Sequence, residues 1–69
     1  MMNVYADMID GTIESVYLCP SDRRALQRKQ WLSEVMEKKD PEEIWIVLMV
    51  GTIDPQTGLI TPCQPRTIG

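Results

Sequence analysis

Apolar and polar residues alternate over residues 3–9 and again over 12–18, and Asp10-Gly11 separates the two runs. A period of two predicts strands. Asp-Gly is the favoured two-residue type I′ turn, because both central residues must adopt positive φ. The turn predicts a register: Ile9 opposite Thr12, Met8 opposite Ile13, Asp7 opposite Glu14, Ala6 opposite Ser15, Tyr5 opposite Val16 and Val4 opposite Tyr17. One face of this hairpin then carries Val4, Ala6, Met8, Ile13, Ser15 and Tyr17 without a charge, and is expected beneath a helix. The other carries Asn3, Tyr5, Asp7, Ile9, Thr12, Glu14, Val16 and Leu18. There Asp7 opposes Glu14, a like-charge pair that a buried face tolerates only with a cation.

The period lengthens after Pro20-Ser21-Asp22, where Ser21 or Asp22 is a helix N-cap. Asp40-Pro41 is the stop signal, since proline biases the preceding residue away from helix. The body is expected over residues 22–39. Ala25, Leu32 and Met36 form its apolar stripe, which Trp31 and Val35 widen. Glu34 and Lys38 make a supportive i,i+4 pair.

A third strand follows, in the run EEIWIVLMVGTID. It is apolar on both parities: Ile44, Ile46, Leu48 and Val50 on one, Trp45, Val47, Met49 and Ile53 on the other. Asp54-Pro55-Gln56-Thr57-Gly58 makes a turn, with Gly58 as the left-handed residue of a bulge. A short strand over 59–61 closes the second hairpin. Pro62 and Pro65 place it at a sheet edge, and residues 64–69 are expected as a loose tail after a single domain over 1–63. The element order is ββαββ, an α+β fold. The strand order 2-1-3-4 gives a mainly antiparallel sheet with its most apolar strand central. The alternative order 1-2-3-4 would pair strands two and three in parallel.

One helix covers one face of such a sheet. The aliphatic parity of strand three suits that cover, which leaves Tyr5, Val16, Leu18, Trp45, Val47 and Met49 as a continuous apolar patch. At roughly 25 cal/mol per Å2, leaving several such side chains in water forfeits several kcal/mol. The expected cover is a second copy of the chain or another protein, with Trp45 as anchor. Folding back of the C-terminal tail is the other possibility, although Gln64, Pro65 and Arg66 cover poorly.

Size sharpens this point. A 69-residue chain is one domain with a marginal core, and chains of this size are commonly helped by a disulfide, a metal or a partner copy. The two cysteines, Cys19 and Cys63, form no CxxC pair, and the sequence has no histidine. Metal ligation is therefore not expected, and the cysteines read as reduced thiols in a cytoplasmic protein unless the strand ends bring them together. The opening residues do not read as a signal peptide, so none is expected, and the longest apolar run is too short to span a membrane.

The net charge of −3 comes from ten acids and seven bases, which argues against nucleic-acid binding over the whole surface. Six of the bases are in the helical run, with Arg23, Arg24, Arg28 and Lys29 clustered at its start. These four form a possible basic contact surface for phosphates or an acidic protein. The plainer reading is a solvated face with arginine stems lying over the core.

Asp7 and Glu14 are the one carboxylate pair that the expected register joins. A hairpin tip offers no concave site for acid–base work. No phosphate loop, nucleophile elbow or zinc spacing occurs, so neither a catalytic residue nor a cofactor is expected. The run PSDRRALQRKQWLSEVMEKKDPEEIWIVL resembles the helix-then-strand segment of the small tautomerases. Their base is an N-terminal proline; here Met2 follows Met1 and no proline precedes Pro20, so the activity is not carried over. The sequence thus points to a small dimeric protein-binding module, an adaptor or inhibitor rather than an enzyme. The alternative is a nucleic-acid-binding regulator that presents its basic helix from a dimer.

Overall fold

A computed structural model describes residues 1–35 and 44–69. Its elements are β1 (Met2–Ile9), β2 (Thr12–Cys19), α1 (Asp22–Val35), β3 (Trp45–Ile53) and β4 (Ile60–Thr67). They form the expected ββαββ fold, with an antiparallel sheet in the order β2-β1-β3-β4. The doubly apolar strand β3 is central, between β1 and β4.

Local chemistry sets the turns and the helix start. Asp10 and Gly11 adopt φ of 51° and 83°, as a type I′ turn requires. Gly58 has φ of 75° and its amide donates to the Asp54 carbonyl at 2.7 Å. Asp54 Oδ1 accepts from the Gln56 amide at 2.9 Å, an Asx turn within the second hairpin. Ser21 caps α1: its hydroxyl accepts from the Arg24 amide at 3.3 Å and its carbonyl from the Ala25 amide at 3.2 Å. Met36, the Glu34–Lys38 pair and the stop at Asp40-Pro41 lie outside the described residues.

The first hairpin keeps its expected register only near the turn. Ile9–Thr12 and Met8–Ile13 pair as anticipated; beyond them Asp7 meets Ser15, Ala6 meets Val16, Tyr5 meets Tyr17 and Val4 meets Leu18. Glu14 is the extra residue of a β-bulge and is exposed. The bulge removes the Asp7–Glu14 repulsion and turns Ser15 and Tyr17 toward Asp7.

The helix lies on the face opposite to the one expected. Tyr5, Cys19, Ala25 and Val47 form the buried core, with Tyr17, Met49 and Ile68 packed against it. The reason is volume and polarity together. Ala25 is the buried residue of α1, so the small helix side leaves space that large sheet side chains fill. The tyrosine hydroxyls also find acceptors there, which the aliphatic parity does not need. The helix stripe is corrected too: Leu32 is half-buried, but Trp31 and Val35 are exposed, and Arg28 and Lys29 take the inward positions beside Ala25.

The loose tail is also corrected. β4 runs to Thr67 rather than ending at residue 61, and Arg66 and Thr67 pair with Met49 and Leu48. The Ile68 amide donates to the Val47 carbonyl at 2.9 Å, and the Val47 amide donates to the Gly69 carbonyl at 2.8 Å. An irregularity between Met49 and Gly51 accommodates the proline-containing stretch. At Gly51 a Cβ would lie 2.8 Å from the Thr61 carbonyl oxygen, so β3 and β4 close together only without a side chain there.

Candidate interaction surface

Residues opposite one another in a ladder share a sheet face. On the helix-free face this places Ile13, Met8 and Ile46 in one row, Val16, Ala6, Leu48 and Thr67 in a second, and Leu18, Val4, Gly51 and Pro62 in a third. None of these residues carries a charge. Ala6 and Val4 form a buried floor at 2% and 8% exposure. Met8, Ile46 and Leu48 are half-buried. Val16, Leu18 and Ile13 stand 64%, 48% and 58% exposed at the β2 rim.

The six residues expected as one patch are divided between the two faces. Tyr5 and Val47 are completely buried beneath α1, and Trp45 and Met49 are half-buried on the same side. Val16 and Leu18 are open to solvent on the other side. Val4, Ala6, Met8, Ile46 and Leu48, assigned to the helix side by parity, instead line the open face. The like-charge conflict at Asp7 and Glu14 was the signal that could have found this, since relieving it needs a bulge and a cation.

The basic cluster is likewise divided. Arg28 Nη1 bonds Asp7 Oδ2 at 2.7 Å, and its guanidinium lies 3.7 Å from the centre of the Tyr17 ring. Lys29 Nζ donates to the Trp45 carbonyl at 3.0 Å. Arg23 and Arg24 are exposed. The inward pair fastens the helix to the sheet and does not form one surface with the outward pair.

Asp7 is the centre of that fastening. Its side chain is 4% exposed. It accepts from Arg28, from the Tyr17 hydroxyl at 2.8 Å and from the Ser15 hydroxyl at 3.0 Å. Burial pushes its pKa up, but the bonds from Arg28, Tyr17, Ser15 and the Trp45 side chain outweigh burial and hold the carboxyl below its ordinary value. Burial, then the bond to Asp7, pushes the Tyr17 phenol well above its ordinary value. A second tie joins the sheet to the helix start: the Tyr5 hydroxyl donates to Asp22 Oδ1 at 2.7 Å, and Arg66 Nη2 lies 3.1 Å from Asp22 Oδ2. Both ties are closed by the chain's own donors and acceptors.

Cys19 is buried, Cys63 is exposed, and both are free thiols. Among the described residues no group of three or more Cys, Asp or Glu side chains is placed to hold a metal ion. No described helix is long and apolar enough to cross a membrane. No protein-family model, curated protein or solved structure matches the chain.

Proposed function

We propose that the chain is a small dimeric protein-binding module, which acts as an adaptor or inhibitor by occupying a partner protein's surface with the helix-free sheet face. The observation that supports this reading is the uncharged, largely aliphatic face built from Val4, Ala6, Met8, Ile13, Val16, Leu18, Ile46 and Leu48. Its rim is exposed while its floor is closely packed. Such a face costs free energy in water, and among the described residues no second helix or strand lies over it. A flat aliphatic floor with protruding Val16 and Leu18 suits an apolar protein surface. The nucleic-acid alternative loses support, because Arg28 is engaged by Asp7 and Lys29 by the Trp45 carbonyl.

The test is affinity capture from a native lysate with wild-type and Leu48→Asp bait, each verified as folded by circular dichroism. A protein retained by wild type and released by Leu48→Asp is the expected result. Equal retention by both baits, or retention by neither, overturns the reading.

A further inference from the structure

The two sheet edges differ in kind. β4 is an outer strand with Pro62, Pro65 and Arg66, features that blunt an edge against further pairing. β2 is the other outer strand. Near the turn it is kinked by the Glu14 bulge. Beyond the bulge, residues 15–19 read Ser-Val-Tyr-Leu-Cys, with no charge, proline or glycine. That five-residue segment lies at the sheet's outer edge, where an antiparallel strand can continue the ladder.

The segment is complementary to itself. In an edge-to-edge antiparallel pair the two-fold axis stands perpendicular to the sheet, so each residue must face one of the same side. With Tyr17 opposite Tyr17 of the second copy, Val16 falls opposite Leu18 and Ser15 opposite Cys19. Both Val16–Leu18 pairs then lie on the open face, where these side chains are 64% and 48% exposed. Aromatic and small residues meet on the helix side. Glu14 falls outside the paired segment, so no like charges oppose each other.

We infer that two copies of this chain join through their β2 edges over residues 15–19 into one eight-stranded sheet. Resting on the protein-binding reading above, this assigns the dimer contact to the strand edge and leaves the open face to the partner. The perpendicular axis keeps both helices on one side and merges the two aliphatic faces into one floor on the other. Val16 and Leu18, at the rim of a single copy, become the centre of that floor.

Sedimentation equilibrium at micromolar concentration on wild type, Leu18→Lys and Leu48→Lys tests the inference, together with hydrogen exchange of wild type at rising concentration. The expected result is a wild-type dimer, a dimer for Leu48→Lys, and self-association weakened by roughly tenfold or more for Leu18→Lys. Amides of β2 should gain protection with concentration while those of β4 do not. A monomeric wild type, dissociation by Leu48→Lys with Leu18→Lys still dimeric, or protection gained in β4 instead of β2 overturns the inference. Release of a captured protein by Leu48→Asp depends on the open face of each copy. A failed dimer with intact capture therefore sinks the edge contact alone, and the reverse sinks the partner reading alone.

Discussion

Asp7 shows how one side chain decides what surrounds it. A carboxylate at 4% exposure is tolerable only with full hydrogen bonding and a counter-charge. The bulge at Glu14 and the inward turn of Arg28 supply both. Asp7→Asn should therefore lower stability by about 2–3 kcal/mol in urea unfolding at neutral pH, since Arg28 would be left partly buried without its partner. Arg66→Ala should change it by no more than about 0.5 kcal/mol, because Arg66 and Asp22 are 57% and 38% exposed. The same group predicts acid sensitivity. The folded pKa of Asp7 lies below its unfolded value, so its stabilisation is present above about pH 4 and is lost as pH falls through the folded value. Urea midpoints between pH 7 and pH 2 should show this fall, and Asp7→Asn should flatten it. Asp7, Ser15, Tyr17 and Arg28 were all visible in the sequence as residues. Their convergence was not, because it depends on a one-residue slip that no local propensity records.

The hairpins show which element features are local and which are not. Both turns, the Ser21 cap and the strand order followed from Asp-Gly, from Gly58, from Pro20-Ser21-Asp22 and from the apolar content of β3. The bulge and the length of β4 did not. Glu14 is an inserted residue between Ile13 on the open face and Ser15 on the helix face. Deleting Glu14 should thus preserve the fold, with amide spectra outside the hairpin largely unchanged. Deleting Val16 should close the bulge with Tyr17 still opposite Tyr5, but it sets Glu14 against Asp7 and moves Ser15 to the open face, so its urea midpoint should fall below that of the Glu14 deletion. At the β3–β4 contact, Gly51→Ala should destabilise by about 1–3 kcal/mol in the same urea assay, because the added methyl meets backbone rather than a movable side chain. β4 escaped the sequence reading because prolines usually end ladders. Here the strand bends past them, and Arg66 reaches Asp22 while Ile68 joins the core.

Among the described residues α1 covers one face of the sheet, and which face that is was the open quantity. Alternation along each strand, the Asp10-Gly11 turn and the doubly apolar β3 established a four-stranded ββαββ sheet. They also established a surplus of apolar surface over what one helix can hide, because these properties depend on neighbours in sequence and on composition. The side chosen by α1 is a collective property. It follows from the fit of a small helix position, Ala25, against Tyr5, Tyr17 and Val47, and from the acceptors that Asp7 and Asp22 offer to the buried hydroxyls. A bulge that rotates half of β2 by one residue enters the same balance. The sequence by itself therefore determined that apolar residues would occupy both faces of the sheet, the face away from the helix included. Only the tertiary structure decided that Val16 and Leu18 belong to that face while Trp45 and Val47 do not, because packing volume and buried charge compare both sides of the sheet at once.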